Sequence, residues 1–264
     1  MIRASIAAVN LNTYSDIDKN ASQETVTNKE LKLAASYYTS TFYALMKKNK
    51  KDLKLKESDQ VDLVYRSYFI FTIQSLFNLV LFLYSGAMKL NFTREASLNV
   101  ALFFTVLLLH LTCLPAARDG LAMMKYVLVH NDEFSHPITA FGLGFISFTT
   151  MLSAEVVNIA AAQNKQAVDA AIAGFIGFKL IIDLPKIYMD SMEEFAPKGL
   201  VGKLTLKRSR RAEDRPKMQA DWLFNSIFVA FNVFYKSVFF YFIPFATILY
   251  PMVKSLEGNV LENS

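Results

Sequence analysis

The sequence predicts an all-α membrane protein: a polytopic helical bundle with four to five transmembrane helices and a short N-terminal amphipathic helix. Of its 264 residues, 53% are hydrophobic and only 19% are charged, whereas soluble domains are about 25% charged. Five apolar stretches approach or exceed the roughly 20 residues that a helix needs to cross the hydrocarbon layer. The basic residues are concentrated before the first stretch and between the fourth and fifth, on one side of the predicted membrane.

The five stretches set the expected helices. The last one is too long for a single perpendicular crossing, and Lys236 and Pro244 are natural break points. It is therefore either one tilted helix or an interfacial helix followed by a shorter span. The third and fourth stretches are joined by a short connection and must be antiparallel neighbours. The stretches are 68–84, 98–116, 138–162, 168–188 and 222–253.

The remaining residues form small polar segments. Residues 1–66 are an N-terminal segment on the inner side, 67–253 are the transmembrane domain with a basic inner loop at 189–221, and 254–264 are a short tail. In the N-terminal segment, Thr27 and Glu30 have the spacing of a capping box. A helix is expected to follow to about Met46, with one apolar face that packs on the inner loops, the membrane or a partner.

The basic residues predict the orientation. If five helices cross, most of the 28 lysines and arginines fall on the side of the N-terminus. By the positive-inside rule, the N-terminus and the basic loop then face the cytosol or the mitochondrial matrix. The loop's basic run can contact anionic lipid head groups rather than nucleic acid, and the residues expected to do so are Lys207, Arg208, Arg210 and Arg211.

Polar side chains inside the predicted spans are the candidate functional residues, because each needs a partner or a cavity where water is absent. Counted at 1.5 Å per residue from the expected span ends, His110 lies about 10 Å from the inner surface. The set forms a ladder typical of a proton relay or ion path. From the inner side outward, its levels are Gln74 with His110, Asn78 with Lys179, and Glu155 with Asn158.

Structural pairings are the alternative interpretation of the same residues. Lys179 lies four residues before Asp183, which is an intrahelical pairing distance. An extended Lys179 can also reach Glu155 and fix the hairpin of the third and fourth spans. Small residues on both arms of that hairpin predict close helix packing there; they include Gly142, Gly144, Gly174 and Gly177.

One inner loop carries several potential metal ligands. On a helix, His130, Glu133 and His136 would share a face and could bind a divalent ion or respond to pH. The simpler interpretation is that Asp132 or Ser135 caps the third span, with Pro137 in its first turn.

The motifs favour transport over catalysis. The sequence contains no P-loop, GxGxxG, GxSxG, HExxH or CxxC pattern, and the single cysteine excludes an internal disulfide or a Cys-based zinc site. We therefore expect no enzymatic activity and no cofactor. The prediction is ion or proton conduction through the ladder, with a non-catalytic structural or accessory subunit of a larger membrane complex as the alternative. The expected partners are the lipid bilayer and either further copies of the chain or other membrane subunits.

Overall fold

The computed structural model describes residues 33–86, 96–162, 165–192, 221–240 and 245. These residues all belong to one compact unit, and their secondary structure is helical apart from one isolated antiparallel bridge between Met46 and Phe134. The helices are α1 (Tyr37–Ala44), α2 (Lys47–Asp52), α3 (Glu57–Gly86), α4 (Ala96–Val129), α5 (Pro137–Ala162), α6 (Val168–Ser191) and α7 (Asp221–Phe234). A short 3-10 turn spans Asn131–Glu133, and a π-helical turn at Tyr235–Phe239 extends α7.

Four segments of the described chain are long and apolar enough to cross a membrane: Glu57–Tyr84, Ser97–Val129, Pro137–Ala162 and Asp221–Phe239. The predicted all-α bundle with four to five spans is thus confirmed. Helix α6 has the necessary length, but it carries several charged side chains along that length: Asp169, Lys179, Asp183, Lys186 and Asp190. The later part of the predicted stretch 222–253 lies largely outside the described residues.

Two helices are longer than the apolar stretches that predicted them. Helix α3 begins at Glu57, well before residue 68, and α4 continues past residue 116, through Pro115, to Val129. The polar C-terminal part of α4 is stabilised by a contact within the protein: the Asp119 carboxylate accepts a 2.6 Å hydrogen bond from the backbone N–H of Ala34. Contacts of this kind allow a helix to continue beyond its apolar stretch.

Helix α1 replaces the expected amphipathic helix and differs from it. The predicted capping box at Thr27 and Glu30 lies outside the described residues, and the helix begins at Tyr37, where Ser36 and Thr39 form a capping box instead. All eight of its residues are buried. The helix therefore has no solvent-facing side, and it lies within the bundle in contact with α3, α5 and α6.

Helix α5 is the central element of the bundle. It makes its most extensive contacts with α4, to which the short turn at 130–136 connects it, and it also touches α1, α3 and α6. Helix α7 packs on α5 through aromatic pairs, including Phe141 with Phe224 and Phe148 with Phe231. Both pairs advance in the same direction along the two helices, so α7 runs parallel to α5. We call the end that contains α1, α2 and the 130–136 turn the α1 end.

Aromatic residues on α3 mark two levels about one hydrocarbon thickness apart. Tyr65 is 71% exposed and Tyr84 is 62% exposed. Nineteen helical residues separate them, or about 28 Å, close to the roughly 30 Å of the hydrocarbon layer. The exposed side chains between them include Phe69, Phe77, Val80 and Leu83. Tyrosines that flank such a surface are typical of the interfaces of a membrane.

Candidate functional site

A buried histidine–carboxylate pair lies between α4 and α5. His110 Nδ1 and Glu155 Oε1 are 2.6 Å apart. His110 is 2% exposed and Glu155 is fully buried. A contact this short between an imidazole and a carboxyl group is a strong hydrogen bond, so one proton is held between the two side chains.

The register of the α4–α5 hairpin brings these two residues together. His110 lies 19 residues before the end of α4 at Val129, and Glu155 lies 18 residues after the start of α5 at Pro137. At 1.5 Å per residue both are about 27–29 Å from the connecting turn. The two side chains therefore meet at the same depth.

Apolar side chains cover the pair on the α7 side and toward the opposite end. The Phe239 ring, which is fully buried, lies 5.3 Å from the His110 ring between centroids. One and two turns before His110 on α4, Val106 and Leu102 are buried in an apolar cluster with Leu98, Ala162 and Ala171. Water thus has no open approach to the pair through these side chains.

Two polar atoms, one in the pair and one beside it, lack a hydrogen-bond partner among the described residues. They are the second carboxylate oxygen of Glu155, Oε2, and the Nδ2 atom of Asn158. The two residues are three apart on α5, so their side chains occupy the same face. A buried acceptor and a buried donor without partners are unusual in a folded protein, and they make this turn of α5 the candidate site.

A second hydrogen-bonded chain lies nearer the α1 end. The Tyr38 hydroxyl donates to Gln74 Oε1 at 2.7 Å, and Gln74 Nε2 donates to the Ile181 carbonyl oxygen at 2.6 Å. Burial raises the pKa of Tyr38 far above its ordinary value, so this hydroxyl remains a neutral donor. The chain links α1, α3 and α6.

Asn78 is bonded neither to the His110–Glu155 pair nor to the chain of Tyr38 and Gln74. Its Nδ2 atom donates to Ser153 Oγ at 3.0 Å, while its Oδ1 atom has no partner in the described part of the protein. Ser153 is two residues before Glu155 on α5. Two of the three predicted ladder levels therefore do not form, since Gln74 is bonded to Tyr38 and Asn78 to Ser153. The third predicted level, Glu155 with Asn158, lies on one buried face of α5.

The predicted pair of Glu155 with Lys179 is not formed. Lys179 Nζ bonds to Asp183 Oδ2 at 2.7 Å, with side chains 44% and 36% exposed. Glu155 is paired with His110 instead. The alternative of an intrahelical Lys179–Asp183 pair is the one that the geometry shows.

The 130–136 segment closes the α1 end of the hairpin and does not assemble three ligands. His130 Nδ1 lies 3.3 Å from Glu133 Oε1, the His130 ring stacks on Tyr126, and His136 is exposed at the start of α5. In the described ranges, no group of three or more His, Cys, Asp or Glu side chains could hold a metal ion. The predicted head-group contacts at Lys207, Arg208, Arg210 and Arg211 lie outside these ranges.

Three residues that shape these contacts, Tyr38, Ser153 and Phe239, are not among the candidates that the sequence indicates. Only Tyr38 carries a usable signal, because a buried tyrosine needs a partner for its hydroxyl.

The fold and its buried polar groups define a class, a multi-pass all-α membrane protein. No protein-family model, no curated protein and no solved structure matches the chain.

Proposed function

We propose that this protein moves protons across the membrane and that the His110–Glu155 pair is the group that carries them. The observation that supports the proposal is the 2.6 Å contact between these side chains at full burial. Ionisable groups inside a membrane are expensive and are characteristic of proton and ion pathways.

The pair has two charge states that differ by one proton. With a neutral imidazole and an ionised carboxylate, its net charge is −1; after uptake of one proton, its net charge is zero. A net charge in an apolar interior is strongly unfavourable, whereas a neutral pair is tolerated. Proton uptake therefore favours the fully enclosed arrangement, and proton loss favours an arrangement with access to water.

The enclosure favours a carrier over an open pore. Phe239 lies against His110 on one side, and Val106 and Leu102 cover it toward the opposite end. A proton can then reach the pair only after these side chains move. Asn158 and Glu155 Oε2, which lack partners in the described residues, mark the direction in which a proton would enter or leave.

Proton flux into liposomes tests this proposal. The full chain is reconstituted with an internal pH-sensitive dye, and a potassium gradient with valinomycin supplies the driving potential. We expect acidification in the presence of the wild-type protein and its loss in Glu155→Gln, which keeps the shape of the side chain but no longer ionises. Glu57→Gln, which removes an exposed carboxylate at the start of α3, is the matched control and should retain the flux. Equal flux in Glu155→Gln and the wild type would refute the proposal.

A second candidate function, an accessory subunit of a larger assembly, is favoured by the exposed ion pair on α6. Ile181 is bonded to Gln74, which lies nine residues beyond Tyr65, or about 13 Å into the hydrocarbon layer. Lys179 and Asp183 flank Ile181 at this depth with more than a third of each side chain exposed. Charged groups are unfavourable against lipid, so we propose that another subunit or a second copy of the chain covers this face.

Native mass spectrometry from mild detergent distinguishes the forms of this second proposal. A homogeneous oligomer that dissociates in Lys179→Leu/Asp183→Leu identifies a second copy as the partner. Co-purified unrelated subunits identify a larger complex. A stable monomer in all preparations would contradict both.

The distribution of basic residues further supports placing the α1 end in the cytosol or the mitochondrial matrix. Cys113 is the only cysteine and is fully buried, so an added cysteine can be labelled selectively. Lys56→Cys should react with a membrane-impermeant maleimide only after the membrane is opened. Labelling in intact cells or mitoplasts would reverse this assignment.

A further inference from the structure

We propose that the α1 end carries a binding site for the phosphorylated head group of an anionic lipid. The site is a cavity of about 530 Å³ lined by Lys47, Lys50, Lys51, Lys54, Leu55 and Ser135, which we call the α2 lysine cavity. Its volume lies within the roughly 300–1,000 Å³ of small-ligand pockets. This inference is independent of proton movement, because none of these residues belongs to the His110–Glu155 site.

The lysines converge because of the local structure. Lys47, Lys50 and Lys51 are three and four residues apart on α2 and therefore share one face. Lys54 follows the helix with φ of 53°, a left-handed conformation that is uncommon for residues other than glycine. This turn brings a fourth lysine to the lining of the cavity.

Other contacts hold the cavity walls in place. Lys47 Nζ donates to the carbonyl oxygen of Asp132 at 2.8 Å. The buried Asn49 donates to the carbonyl oxygen of Tyr43 at 2.9 Å, and the N–H of Ser135 donates to the carbonyl oxygen of Leu45 at 3.0 Å. The site is thus built from α2 and the turn before α5.

The positive charge of the cavity is not neutralised within the described chain. No carboxylate there forms a salt bridge with Lys50, Lys51 or Lys54. Like charges grouped on one face destabilise a helix, and the left-handed backbone at Lys54 adds strain. A ligand with several negative charges would offset both effects.

The position of the cavity identifies the source of the phosphate. The Gln60 side chain donates at 2.7 Å to the carbonyl oxygen of Ala44, three residues before α2. Gln60 lies five residues before Tyr65, so the cavity lies at least about 8 Å outside the level of the tyrosine. Head-group layers extend only about 5–8 Å beyond the hydrocarbon. A simple phosphodiester would lie too deep, whereas phosphate groups on the inositol ring of a phosphoinositide project far enough to reach the lysines.

Binding of a short-chain phosphatidylinositol bisphosphate to the full chain in phosphatidylcholine nanodiscs tests the proposal. Since each basic residue near a membrane surface contributes about 1 kcal/mol, Lys50→Gln/Lys51→Gln/Lys54→Gln should weaken binding about 100-fold. The matched control is Lys48→Gln/Lys56→Gln/Lys186→Gln, which removes the same charge from the α1 end outside the cavity. It should change the affinity by no more than about threefold, a difference of about 0.7 kcal/mol.

Three outcomes would overturn the proposal: no binding by the wild-type chain, equal losses in both triple variants, or soluble inositol trisphosphate binding as tightly as the lipid. The last outcome would assign the cavity to a free phosphate ligand. If the triple variant fails to fold, Lys54→Asn keeps a residue that tolerates the left-handed conformation. It should weaken lipid binding about fivefold, and an unchanged affinity would count against the site.

Discussion

Gly120 and Gly144 face each other where α4 and α5 are in close backbone contact. A Cβ atom added to Gly120 would lie 2.8 Å from the Gly144 carbonyl oxygen and 2.9 Å from the backbone nitrogen of Phe148. A Cβ atom on Gly144 would lie 2.8 Å from the carbonyl oxygen of Gly120. Since both contacts are with backbone atoms, neither helix can accommodate a side chain here without moving.

We therefore expect Gly120→Ala and Gly144→Ala each to destabilise the protein by about 1–3 kcal/mol, the range for overpacked sites. The measurement is thermal unfolding in mild detergent, where the midpoint should fall by about 5 °C. Gly177→Ala is the control, because no atom outside the adjacent turns of its own helix lies within 4 Å of its added Cβ. A Gly177→Ala midpoint as low as those of the other two variants would rule out the close helix approach as the cause.

The His110–Glu155 pair makes a prediction for stability as well as for flux. In His110→Leu, Glu155 loses its partner while remaining buried, and breaking a buried pair in this way costs about 3–5 kcal/mol. The double variant His110→Leu/Glu155→Leu should recover most of that loss, because it leaves no unpaired charge. Unfolding midpoints of both single variants and the double variant give the coupling energy. Additive effects would mean that the two side chains do not interact.

The Tyr38 hydroxyl gives a smaller effect that can be tested separately. Tyr38→Phe removes the donor to Gln74 Oε1, a buried hydrogen bond, and should destabilise the protein by about 1–3 kcal/mol. Tyr65→Phe, at an exposed position, should leave the unfolding midpoint unchanged. Equal midpoints for Tyr38→Phe and the wild type would show that this contact adds nothing to stability.

Trp222 is the only tryptophan and reports the depth of α7. It is 74% exposed, and the contact of Phe141 with Phe224 places it near the α1 end. We expect lipids brominated near the head group to quench its fluorescence more than lipids brominated near the chain end.

A tryptophan moved along the same helix provides the comparison. In Trp222→Phe/Val233→Trp the probe lies 11 residues further along, about 16 Å deeper if α7 crosses the membrane. Quenching by the deeply brominated lipid should then be stronger. If both probes are quenched at the same shallow depth, α7 lies along the interface instead of crossing.

The sequence was sufficient for the helices but not for the pairing of their polar residues. An apolar stretch identifies a transmembrane helix because the backbone must form all its hydrogen bonds internally in lipid. This signal does not depend on other parts of the chain. Helix ends are different. Helix α4 continues past residue 116 to Val129, because contacts such as that of Asp119 with Ala34 hold its polar turns.

The misplaced end of α4 gives a wrong depth for His110. Measured from residue 116, it appeared level with Gln74; measured from Val129, it is 13 residues deeper, about 20 Å, and level with Glu155. The packing of Gly144 was misassigned in a related way. The sequence predicts that Gly144 packs against α6, but it packs against Gly120 on α4. A glycine indicates that another helix approaches closely, but it does not indicate which helix.

The burial of α1 has a consequence for assembly. Tyr38 donates to Gln74 on α3, and Tyr37, the first residue of α1, packs against Tyr188 on α6 with ring centroids 5.2 Å apart. A ribosome makes α1 before any of these neighbours, and its contacts are complete only after about 150 further residues have been synthesised. The first helix of the described chain is thus among the last to be fully buried, and a chaperone can bind it throughout that interval.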